Sequence, residues 1–64
     1  MSQSAVMLSL ELTDSEAVAL AQFVKRVTWT EMRACAADDY ECNQIRRGLD
    51  LLRQELGLQG YSPR

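Results

Sequence analysis

From Ala5 to Leu12 the chain alternates. Val6, Leu8, Leu10 and Leu12 fall on one face of a strand, and Met7, Ser9 and Glu11 on the other. That period of two marks a half-buried β-strand, whereas a helical winding would scatter the four apolar residues around the cylinder. Beyond it the period changes. Ala17, Leu20, Ala21, Val24 and Val27 recur at steps of three and four, the stripe of an amphipathic helix, and Phe23 widens it. A further seam of Cys42, Ile45, Leu49, Leu52 and Leu56 alternates the same steps. The pattern predicts a mainly α protein in which a short N-terminal strand precedes three helices, βααα, in a single domain over residues 1–64.

Three start signals place the helices. Thr13-Asp14-Ser15-Glu16 has the form of a capping box, in which Thr13 accepts from the Glu16 amide and Glu16 reaches back to the Thr13 amide. The helix it opens is expected to run from Asp14 to about Val27, with Lys25 and Arg26 in the last turn, where cations are favoured. Thr28-Trp29-Thr30-Glu31 repeats the motif, with Val27 and Met32 as a hydrophobic staple. It predicts a short helix from Trp29 to Ala37. Asp38 is an N-cap for a third helix ending at Leu56, with Gly57 as the left-handed residue beyond it. On that helix Asp50 is placed to pair with Arg46 and Arg53. The expected core is Leu20, Val24, Val27, Met32, Ile45, Leu49, Leu52 and Leu56, with the inward face of the strand and with Tyr61 folding back from the tail. Gly48, inside the third helix, is either tolerated at up to about 1 kcal/mol or admits another helix closely.

The chain's 64 residues limit the core. A domain of this size buries only about 60 % of the surface its unfolded chain exposes, and small domains often compensate with disulfides, metals or oligomerisation. The first residues lack a basic segment followed by a long apolar one, so a reducing, cytoplasmic setting is expected and Cys35 and Cys42 are expected to stay free thiols. On one helix their spacing of seven would set them about 10.5 Å apart, too far to bridge. A chain break between them would permit it. Without histidine or a CxxC pair, no metal or other cofactor is expected. Oligomerisation remains, and a lone strand needs a partner for its backbone groups. The sequence therefore predicts a homodimer with Val6, Leu8 and Leu10 at the contact.

Charge narrows the partners. The net charge is −2, carried by residues 1–32, while five arginines balance five acids in residues 33–64. Such a chain has no global attraction to nucleic acid or anionic membrane, and no apolar run approaches a membrane span. Catalysis has little to work with. Histidine and a glycine-rich phosphate loop are missing from the sequence, and Cys42 is better explained as a seam thiol than as a nucleophile near a helix N-terminus. The protein is expected not to be an enzyme. Candidate partner-binding residues are the acidic group Asp38, Asp39 and Glu41, the basic stripe Arg46, Arg47 and Arg53 with Arg33, Arg26 and Lys25 nearby, and Leu51. The stripe also has a plain explanation as a solvated face. Leu51 and Leu58 lie off the seam, and with Met7 they suggest apolar surface that a monomer leaves uncovered, unless Leu51 packs beneath the tail.

The stretch from Leu12 to Val27, the pair Arg33-Ala34 and the ending Gly60-Tyr61-Ser62-Pro63-Arg64 resemble an uncharacterised family of short proteins encoded in bacterial genomes, often on phages, plasmids and integrated elements. The resemblance covers nearly the whole chain. Members often carry tryptophan where this chain has Val18 and alanine where it has Ser62. The resemblance implies a mobile-element setting, in which small acidic proteins often occupy a surface of a host defence protein, as anti-CRISPR proteins do. The expected function is therefore a non-enzymatic protein-binding inhibitor or accessory factor, with a CRISPR effector complex or another defence protein as partner. The alternative is a ribbon-helix-helix-like DNA-binding transcriptional regulator. Its reading face would be Met7, Ser9 and Glu11, which offers no cation to phosphates.

Overall fold

The computed structural model describes residues 4–61. Expectations for residues 1–3 and 62–64 lie outside them. Among the described residues there are three helices, α1 (Asp14–Arg26), α2 (Trp29–Ala34) and α3 (Asp39–Leu58). α3 has 20 residues, about 30 Å at 1.5 Å per residue, and both other helices pack against it.

The helix starts form as the capping motifs predict. Glu16 N–H donates to Thr13 Oγ1 at 3.1 Å and Thr13 N–H to Glu16 Oε1 at 2.9 Å. The second box repeats this, with Glu31 N–H to Thr28 Oγ1 at 3.2 Å and Thr28 N–H to Glu31 Oε1 at 2.9 Å. At α3, Asp38 Oδ1 accepts from Glu41 N–H at 2.8 Å, and Glu41 Oε1 accepts from the Ala37 amide at 2.8 Å. Each pair satisfies amides that the first turn of a helix leaves without partners.

The helix ends differ from expectation. α2 stops at Ala34, three residues before the predicted Ala37, and Arg33 holds the link that follows. Its Nη1 donates to the Ala36 carbonyl at 3.0 Å and its Nε to Asp39 Oδ1 at 2.7 Å. α3 runs through Gly57, which was expected to end it, to Leu58. The residue that adopts positive φ, 95°, is Gly60. There Tyr61 N–H donates to the Leu56 carbonyl at 2.8 Å and Gly60 N–H to the Gly57 carbonyl at 3.0 Å. That is the Schellman pattern, with its usual apolar contact supplied by Tyr61 against Leu56. The contact explains the overrun: ending at Gly57 would leave Tyr61 short of the core.

The core is smaller than predicted. Ala17, Ala21, Val24, Cys42 and Leu56 are buried, and Leu20, Leu52 and Tyr61 pack partly buried against Ala17, Ala21 and Leu56. Val27, Met32, Ile45 and Leu49 are only half-buried. The two alanines are spaced four apart on one face of α1, on the side that meets Leu56, and Leu20, Leu52 and Tyr61 sit at the margin of that cluster.

The predicted β-strand is corrected. Residues 4–13 contain no helix, strand, turn or bend. Among the described residues, no backbone hydrogen bond involves residues 4–12. The physical reason is that a ladder needs a second strand, and no other segment of this chain alternates. The face expected to turn inward is exposed: Val6 is 80 %, Leu8 77 % and Leu10 65 % accessible. The radius of gyration, 13.0 Å, exceeds the about 10–11 Å of a compact domain this long.

Candidate functional site

A groove of about 290 Å³ opens to solvent where α1 runs into α2 and both face α3. Its apolar lining is Val24 and Val27 from the end of α1, Trp29 and Met32 from α2, and Leu49 from α3. Around these stand Lys25, Arg46, Arg53 and Asp50. The local folding follows from the second capping box. Thr28 turns the chain between α1 and α2, setting Trp29 as the first residue of α2, beside the end of the α1 stripe. On α3, Arg46, Leu49, Asp50 and Arg53 are spaced three, four and seven apart, so they share one face.

Among the described residues, the charges in this groove are not paired. Among the described residues the one ion pair is Arg33 with Asp39. The pairing expected of Asp50 with Arg46 and Arg53 is not made: neither arginine comes within 4.0 Å of its carboxylate. Lys25, Arg46 and Arg53 outnumber Asp50, which leaves a trough of mixed polar and apolar surface with a surplus of positive charge. The trough is at the small end of ligand pockets, about 300–1,000 Å³. It fits one or two inserted side chains better than a cofactor.

The structure divides the sequence-predicted residues. Arg46 and Arg53 line the groove, while Arg47 and Leu51 are exposed and outside its lining. Leu51 is 64 % accessible and does not pack beneath the tail. Asp38, Asp39 and Glu41 gather at the start of α3, where two cap the chain and Asp39 pairs with Arg33. They are not brought together with the arginines of the groove. Trp29, Met32 and Val27 were not among the expected site residues, while Lys25 was expected beside the basic stripe. The staple pair Val27 and Met32 flanking an exposed tryptophan was the signal for them.

The thiols lie in different settings. Cys35 is exposed at the end of α2, and Cys42 is wholly buried in α3. They are not on one helix, because the link after Ala34 separates them, and they are not joined. Among the described residues no group of three or more metal-ligating side chains forms, and no helix is long and apolar enough to cross a membrane.

These features define the class: a small three-helix domain with an open, cation-edged groove and an uncovered N-terminal arm. Residues 1–64 match the sequence profile of a family of unknown function, DUF7706, and the chain belongs to that family. No curated protein and no solved structure matches it.

Proposed function

We infer that this protein is a non-enzymatic binding factor, which takes a segment of another protein into the groove and acts by occupying its partner. One observation carries this: among the described residues Lys25, Arg46 and Arg53 stand without ion-pair partners around a groove whose lining also includes Val24, Val27, Trp29, Met32 and Leu49. Exposed aromatic and arginine side chains at a groove are the residue types that dominate binding energy at protein interfaces. The chemistry that fits is an acidic segment with one apolar anchor. Its carboxylates would meet the cations while the anchor fills the trough.

The most specific form of this function is an inhibitor or accessory factor from a mobile genetic element that acts in the cytoplasm on a host defence complex, such as a CRISPR effector. Support for that form comes from the resemblance to proteins of phages and plasmids. The test is native gel shift and sizing of the purified protein with defence complexes of its host. A shift is expected, with Trp29→Ala and Arg53→Ala weakening it and Arg47→Ala leaving it unchanged. Failure with every such complex removes the inhibitor reading. A salt-sensitive shift of DNA from its own upstream region would instead favour the transcriptional regulator.

A further inference from the structure

The arm before α1 is independent of the groove and has its own unmet requirements. Val6, Met7, Leu8 and Leu10 are 65–95 % accessible, and no backbone hydrogen bond among the described residues involves residues 4–12. The surface of the whole molecule is 5596 Å², where a compact monomer of 7.2 kDa would expose about 4,100 Å². The difference, about 1,500 Å² over the whole chain with the arm as one part of it, is on the scale of the roughly 800 Å² that each partner buries in a standard protein interface.

We propose that the arm pairs with the arm of a second copy as a two-stranded antiparallel ribbon, with Ser9 on the two-fold axis. The occupant follows from the backbone. Docking the arm on a helical surface, its own or another, covers the side chains but leaves its amides and carbonyls without ladder partners. A second arm supplies both. An antiparallel pair places side chains of one face opposite each other. Only registers pairing even with even positions therefore keep the leucine face intact. Centring on Ser9 sets Val6 opposite Leu12 and Leu8 opposite Leu10 of the second copy. All four apolar residues of each arm are then matched. Centring on Leu8 would set Leu12 against Ser4, and centring on Glu11 would oppose two carboxylates. On the outer face the Ser9 register matches Met7 with Glu11 and Ser9 with itself. A bare two-stranded ribbon is marginal in water, so its leucine face lies on the helices of the dimer.

The register makes a test possible at one position. A residue on the axis faces its own copy at about 4.5–5.5 Å between Cα atoms, within the span a disulfide accepts. In a Cys35→Ser background, where Cys42 stays buried, Ser9→Cys is expected to cross-link to a dimer under mild oxidation at least about tenfold faster than Val6→Cys. The two copies of Val6 would stand about 20 Å apart. Sedimentation of the wild-type chain at micromolar concentration should give a dimer. Leu8→Pro, which removes an amide and forces its neighbour's geometry, should weaken that dimer about a hundredfold or more with the helical circular dichroism kept. A monomer in sedimentation overturns the proposal and leaves the arm folded on its own helices or free. A dimer that survives Leu8→Pro and cross-links no better through Ser9→Cys than through Val6→Cys overturns it in favour of another surface.

Discussion

The hydroxyl of Tyr61 donates a hydrogen bond to the carboxylate of Asp14, 47 residues earlier in the chain. It ties the residue after the Schellman turn to the first residue of α1, while the ring packs on Ala17, Ala21 and Leu56. The two ends of the helical body are thereby fastened over its core. Tyr61→Phe keeps the ring and loses the hydrogen bond, so it should lower the urea midpoint less than Tyr61→Ala, which loses both. Equal loss in the two variants would assign the whole effect to the hydroxyl.

The same hydrogen bond gives a pH dependence. The Tyr61 hydroxyl ionises above the ordinary tyrosine value of 10.0, because its proton is held by Asp14, with desolvation and the carboxylate charge adding in the same direction. A folded value raised above the unfolded one means that this contribution is complete below the unfolded value and is lost as pH rises through the folded one. In a Tyr40→Phe chain, the phenolate absorbance of Tyr61 should rise at higher pH in the folded protein than in urea. Asp14→Asn should bring the two curves together.

Leu56 is the large aliphatic side chain at the centre of the core, and Leu52 stands at its margin. Leu56→Ala is expected to cost about 2–5 kcal/mol, which is enough to unfold much of so small a domain. Leu52→Ala should cost less. Chemical denaturation of the two variants gives the order.

The thiols should differ sharply in reactivity. Cys35 is exposed and should react with a thiol reagent within the mixing time, whereas Cys42, fully enclosed, should react only as the fold opens. Cys42→Ser buries a hydroxyl in its place and should cost about 1–3 kcal/mol, while Cys35→Ser should fall within about 0.5 kcal/mol of the parent. Reducing agent alone should leave the melting curve unchanged.

Gly48 lies mid-helix with nothing within 4 Å of where a Cβ would stand. No close helix approach depends on it. Gly48→Ala should therefore stabilise the protein by about 0.5–1 kcal/mol, as read from the urea midpoint. Gly60, at φ 95° with equally open space, should show the opposite sign for its alanine variant, since there the backbone rather than the space forbids a side chain.

How much of this was legible depends on how local each signal is. The caps at Thr13, Thr28 and Asp38 are decided within four residues, and all three stand where the sequence puts them. The apolar alternation of Val6 to Leu12 is equally plain, but pairing is a property of two segments, and this chain has one. The end of α3 was misplaced at Gly57 because the deciding contact, Tyr61 on Leu56, depends on packing beyond the helix itself. The prominence of Ala17 and Ala21 over Val27 and Ile45 was hidden for the same reason. A stripe shows which side of a helix is buried, not where two helices come closest. The groove was half legible, through Arg46 and Arg53, and its floor was missed because Trp29 reads as part of a cap.

The uncovered arm also bears on turnover. A protease needs a stretch of about this length held by no internal hydrogen bonds, and residues 4–12 offer it without any helix having to open first. Cutting there is governed by whether the arm is covered, not by the stability of the helical body. Were the arms to pair between copies as proposed, nicking rate against protein concentration would be a direct gauge of arm occupancy, and the lifetime of the chain would follow how much of it is present.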